Sequence, residues 1–272
     1  MFILGPPRCG TTLLYRCIGS HPDAGYFNRA NRKLIAFPRV AGLLTRLGLF
    51  ADHPRESRKI WDRFLPVGSD AVAGAAEAGS EVREWYERFI AVVLRARGAR
   101  RFVAKLPSHT VRVPWLKALF PNALFVQALR DWRAAVSSTV VKRHQDHGGR
   151  WFGVKASGWR EANQEAPEMA AAWQYRVSHE ILEAERAGWP EHQFVQVWYE
   201  DLCLDPVTVM QEVFEFCGLT WSGKVEAALP RDIRPLAPKW PRHLKPEMIN
   251  KILERHADVL RRYEHEQMTV NS

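Results

Sequence analysis

Four short runs of the chain are apolar at nearly every position: MFIL (1–4), RFVAK (101–105), ALFVQAL (123–129) and QFVQVWY (193–199). Unbroken apolarity over so few residues suits strands covered on both faces, as in a parallel sheet between helices; a half-exposed strand alternates instead. Between these runs the apolar period lengthens to that of a helix. TTLLYRCIGS follows the first run, and EVREWYERFIAVVLRARG (81–98) precedes the second. VPWLKALF leads into the third and RAAVSSTVVKRHQ leaves it; MAAAWQYRVSHEILEAERAG (169–188) and DPVTVMQEVFEFCG flank the fourth. This alternation predicts an α/β fold, a three-layer sandwich with a central, mostly parallel sheet and right-handed crossovers. In such sheets ligands gather at the carboxyl ends of the strands.

Two regions break the rhythm. Residues 28–80 are rich in Arg, Pro, Gly and Ala and read as short helices and loops facing a substrate. Residues 144–167 carry glycines, aromatics and charges without a period and read as a mobile lid or loop. Irregular PRDIRPLAPKWPRHLKP follows position 218, then an amphipathic helix from Pro246 to about Glu264. With no linker in view, the expectation is a single domain over 1–272 with insertions at about 28–80 and 144–167.

Composition narrows this picture only a little. At 46% apolar and 25% charged the 272 residues can build a core, and no repeat or low-complexity run argues otherwise. The longest apolar stretches are too short to cross a bilayer and no leader is visible, so a cytoplasmic protein without a membrane partner is expected. Four scattered cysteines suggest reduced structural thiols and no metal. The net charge of +9 favours a polyanionic partner: nucleic acid, an acidic membrane surface or an anionic nucleotide.

Chemistry concentrates in FILGPPRCGTTLL (2–14), an apolar strand, a Gly/Pro turn and Gly-Thr-Thr opening a helix. Backbone amides and the positive helix end converge on one point in such a loop, making an anion site. The G-x-x-x-x-G spacing is that of P-loop nucleotidases, but Thr11 stands in the lysine slot and Arg8 supplies the cation. Further on, Arg130 ends a strand, and Ser138 comes back to its side after two helical turns. An arginine fork with a hydroxyl suits a terminal phosphate. Lys105, at another strand end, also faces the cleft. Glu56 in HPRESRKIWD, His109 four residues after Lys105 and, ranked lower, His21 in SHPD are side chains able to take up a proton. Asn28 and Asn31 offer an amide but no base. Tyr26, Phe27, Phe37, Trp61, Phe64, Trp151, Phe152 and Trp159 are available for an apolar acceptor pocket.

GPPRCGTTLL is similar to the 5′-phosphosulfate loop of sulfotransferases that use 3′-phosphoadenosine 5′-phosphosulfate (PAPS), commonly G-x-x-[RK]-S-G-T-T-x-L. The resemblance implies that Arg8, Cys9, Gly10, Thr11, Thr12 and Leu13 hold the phosphosulfate, with Cys9 costing the hydroxyl of the usual serine. LRDWRAAVSS (129–138) resembles the family's 3′-phosphate element, which implies Arg130 and Ser138 as its ligands. WYEDLCLDP (198–206) resembles Y-E-D-[LM]-x-x-[DH]-P and implies Tyr199 near the adenine. PLAPKW resembles a late lysine–tryptophan pair and implies Lys239 at the 3′-phosphate. Lys105 and Arg8 are then the catalytic cations, with Glu56 or His109 as base. PAPS is the expected co-substrate and a hydroxyl or amine of a small molecule the expected acceptor. The rival readings are an ATP-using nucleotide kinase, which lacks its loop lysine, and a basic nucleic-acid-binding domain built on RARGARR (95–101). The latter shows no named signature, so no nucleic-acid partner is expected. Oligomeric state is not legible.

Overall fold

The structure, a computed structural model, describes residues 1–65, 70, 72–233 and 239–266. Among the described residues there are six strands: β1 Phe2–Leu4, β2 Ala24–Gly25, β3 Arg101–Phe102, β4 Ala104–Lys105, β5 Phe125–Leu129 and β6 Phe194–Trp198. Four of them form a parallel sheet in the order β4-β1-β5-β6, while β2 and β3 pair separately, also parallel. Register is tight across the centre, with Ile3 opposite both Lys105 and Val126, and Leu129 opposite Trp198.

The apolar runs are strands because both faces of the sheet are covered. Along β1, Ile3 joins one buried cluster with Val126, Ala128 and Val197. Phe2 and Leu4 point the other way, into a second cluster with Phe125, Trp61 and Trp115. Period-two alternation thus feeds two cores from one strand. Helices Thr11–Gly19, Ser80–Arg97, Val113–Leu119, Trp132–His147, Pro167–Arg186 and Pro206–Phe216 supply the flanking layers, within two residues of their predicted ends. Among the described residues no helix is long and apolar enough to cross a membrane.

The 28–80 region holds the expected short helices, Arg29–Lys33, Pro38–Arg46 and Arg58–Trp61; its residues 66–69 and 71 lie outside the described residues. Of the mobile lid or loop expected over 144–167, the structure shows a loop at 148–158 that is anchored to the body of the protein. The Trp132–His147 helix runs into that stretch, and Gln174 donates to the carbonyls of Phe152 (3.0 Å) and Val154 (2.9 Å). Val154 is fully buried. Gly153 adopts φ +93° against the opening loop, where a Cβ would come within 2.3 Å of Pro7 Cγ.

Candidate active site

Because all four strands of the main sheet run the same way, their carboxyl ends share one edge. Leu4 there passes into the Gly5–Gly10 loop, β4 ends on Lys105, β5 leads into Arg130 and β6 into Tyr199. The loop, Lys105, Arg130 and Tyr199 therefore line one open cleft of about 720 Å³.

The loop is held by two close approaches that only glycine permits. Gly5 has φ +137°, and a Cβ there would sit 2.8 Å from the Ala128 carbonyl oxygen. Gly10 has φ +83°, and its missing Cβ leaves the space taken by the Tyr199 ring, 2.4 Å from where that carbon would be. The Thr11–Gly19 helix starts with no side-chain cap. Among the described residues nothing accepts from the amides of Gly10, Thr11, Thr12 and Leu13, which point into a cleft built for an anion.

Two cationic groups stand on either side of these amides. On one side Arg8, itself in the left-handed region at φ +69°, donates from Nε to Ser138 Oγ at 2.9 Å. Arg130 Nη1 donates to the Arg8 carbonyl at 2.8 Å, and the guanidinium stacks 4.4 Å from the centre of the Tyr199 ring. Burial and the nearby Arg130 lower the Arg8 pKa. The buried Arg130 Nε has no hydrogen-bond partner among the described residues, although Glu200 lies 4.0 Å away. Ser138 is placed by Asp131, which caps the helix by accepting from Arg133 N at 2.9 Å and Ala134 N at 3.4 Å. One turn beyond Ser138, Lys142 also reaches the cleft.

On the other side Lys105, only 5% exposed, donates from Nζ to Thr12 Oγ1 at 3.0 Å and to the Glu56 carboxylate. Lys105 thus joins the loop, a strand end and the insertion. Glu56 stays open to solvent.

Several expected residues stand elsewhere. His109 is not in the cleft: the Pro107–Val111 turn carries it inward, fully buried, edge-on to Phe2 and Trp61. Burial, then Arg112, holds its pKa well below 6.5, and neither ring nitrogen has a hydrogen-bond partner among the described residues. It is a core histidine. Cys9 is also buried in the core, where burial raises its thiol pKa, so its side chain points away from the anion site. The change from serine costs no bond to a ligand. Lys239 is exposed and does not line the cleft; residues 235–238 of PLAPKW lie outside the described residues. Asn28 and Asn31 are buried and bond each other in a capping box. Of the eight aromatics, Phe152 lines the cleft, whereas Tyr26, Phe27 and Trp61 are core.

Sequence reasoning missed the groups that fix Arg130. Tyr175 donates to its carbonyl at 2.6 Å, and Glu200 accepts from the Asp131 amide at 3.2 Å. Glu200 was legible in the YED triplet; nothing marks Tyr175 in its helix. Among the described residues no group of three or more His, Cys, Asp or Glu is placed to hold a metal ion.

Residues 1–223 match the model of a family described as the sulfotransferase family. Among curated proteins, the chain is 26% identical over 238 residues to protein-tyrosine sulfotransferase A of Caenorhabditis elegans. It is 26% identical over 227 residues to protein-tyrosine sulfotransferase 2 of Gallus gallus. These matches take in 86% and 83% of the chain but 54% and 52% of the relatives, so the chain spans about half their length. In fold it is similar to the sulfotransferase STF9 from Mycobacterium avium, with a TM-score of 0.61 at 20% identity over 95% of this chain and 76% of that one. STF1 from Mycobacterium tuberculosis follows at 0.57 and 22%, over 94% and 76%.

Proposed function

The chain belongs to the sulfotransferase family, and on that premise we propose that it moves a sulfuryl group from PAPS to an acceptor hydroxyl. One observation carries the reading: Lys105 bridges Thr12 of the anion loop and the solvent-facing Glu56. A cation thereby stands between a donor site and a base.

In this reading the free amides of Gly10–Leu13 and the Thr12 hydroxyl hold the 5′-phosphosulfate. Arg8, expected there and as a catalytic cation, is drawn by its bond to Ser138 toward the 3′-phosphate, which it holds with Arg130, Ser138 and Lys142. Tyr199, stacked under Arg130, offers a face beside the nucleoside. The S–O bond to the 5′-phosphate breaks as the acceptor oxygen bonds to sulfur. Glu56 takes the acceptor proton, and the electron pair of the broken bond stays on the phosphate oxygen, where Lys105 stabilises it. Positioning and preorganised charge are the main contributions expected of a protein in such a transfer.

The names of the curated relatives support a phenolic hydroxyl as acceptor, on a protein or on a small molecule. Transfer of radiolabelled sulfate from PAPS to an acidic tyrosine peptide and to a small phenol tests this directly. Label in either product, lost in Glu56→Gln, supports the reading. Label in neither, or equal transfer by the variant, contradicts it.

A further inference from the structure

We propose that the surface formed by residues 29–50 docks on an anionic lipid bilayer. Between Asp23 and Asp52 the chain has no carboxylate but five cations, Arg29, Arg32, Lys33, Arg39 and Arg46. All five are exposed, and none has an ion-pair partner among the described residues. The Pro38–Arg46 helix at the centre of this surface is inverted. Its small residues Ala41 and Gly42 face inward, and Gly42 lies so near Ala96 that a Cβ would approach within 2.6 Å. Large apolar residues on it and at its ends face out: Leu43 within the helix is 57% exposed, the flanking Phe37 and Leu47 62% each, and Leu49 beyond them 65%.

This face is held firmly in its outward orientation. Asn28 donates to Thr45 Oγ1 at 3.0 Å, and Thr45 donates to the Ala41 carbonyl at 2.8 Å. Beside it a shallow groove is lined by Leu43, Val92 and the guanidinium-bearing Arg39, Arg46 and Arg95, with no carboxylate. Two carboxylates of the Ser80–Arg97 helix, Glu81 and Glu84, border this surface at its Ile35–Pro38 end, and Glu84 is paired with Arg88.

Charge selects the occupant. A second copy related by a two-fold axis would set five unpaired cations against themselves. A nucleic-acid backbone supplies anions but offers nothing to the aliphatic side chains. The boundary of an anionic bilayer takes both, with Phe and Leu entering the headgroup–acyl zone and Lys or Arg meeting the phosphates. Each cation near such a surface is expected to strengthen partitioning about fivefold. Such contact needs no spanning helix, and among the described residues none is long and apolar enough to cross a membrane.

The test is flotation of the full chain with phosphatidylcholine vesicles and with vesicles containing about a third phosphatidylserine. Binding at least about tenfold stronger to the anionic vesicles is expected. Arg39→Glu/Arg46→Glu and Leu43→Ser/Leu47→Ser should each reduce it about tenfold or more, with circular dichroism and nucleotide binding unchanged. Equal binding to both vesicles, or full binding by both variants, overturns the proposal. So does a dimer that Leu43→Ser/Leu47→Ser dissociates, or a preference for duplex DNA over anionic vesicles.

Discussion

Arg8 donates its Nε hydrogen to Ser138 Oγ at 2.9 Å, tying the anion loop to a helix 130 residues further along the chain. Arg130 closes the arrangement through the Arg8 carbonyl. The cationic end of the cleft is therefore assembled before any ligand arrives, and its cost in ordering is met by folding rather than binding.

Arg130 is the residue on which recognition of a 3′-phosphate should depend. A charge-assisted bond is worth about 1.5–3 kcal/mol. Arg130→Ala should thus weaken binding of 3′-phosphoadenosine 5′-phosphate about 10- to 100-fold and that of ADP far less. Calorimetric titration of both nucleotides with both proteins checks the ratio.

Glu56 should carry the proton rather than the donor. Glu56→Gln is expected to slow transfer by about two to four orders of magnitude while leaving affinity for the desulfated nucleotide within a few-fold. Single-turnover rates alongside titrations separate the two effects; loss of both together would move Glu56 into the binding site.

Cys9 yields a prediction opposite to its motif. Restoring the family serine places a hydroxyl in the apolar core rather than in the cleft. Cys9→Ser should lower stability by about 1–3 kcal/mol and add nothing to nucleotide affinity. Denaturant unfolding and titration of the same variant decide the point.

Acid should unfold the protein through its buried histidines. His109 and His179 are held neutral by burial, His109 well below 6.5 and His179 lowered to about 3. Unfolded histidines take a proton near pH 6.5, so the unfolded state gains as pH falls below that value, and the His179 share grows until about pH 3. Two such sites give a limiting slope of about 2.7 kcal/mol per pH unit. Urea unfolding at pH 7.5 and 5.5 should show the loss, with a shallower dependence in His179→Gln.

Much of this site was legible because anion binding uses backbone and strand ends, which leave marks in sequence. Gly5, Arg8 and Gly10 stand at fixed spacing, and Lys105, Arg130 and Tyr199 each end an apolar run. What failed were judgements about direction. His109 follows Lys105 by four residues, but a tight 3-10 turn carries it into the Phe2–Trp61 core. Cys9 sits between Arg8 and Gly10, which line the cleft, yet faces inward. The run RFVAK reads as one strand, but it changes partner at Val103, pairing first with β2 and then with β1. β2 is two small residues with no apolar run to betray it. Choosing Glu56 over His109 required a contact across 49 residues that no local pattern encodes.

The central claim is that the cleft is shaped for a nucleotide carrying phosphates at both the 3′ and 5′ positions. Calorimetric titration of the wild-type chain with 3′-phosphoadenosine 5′-phosphate, ADP and ATP tests it most directly. The account predicts that the 3′,5′-bisphosphate binds at least about tenfold more tightly than ADP or ATP, the worth of one charge-assisted phosphate contact. Equal or tighter binding of ATP would contradict it.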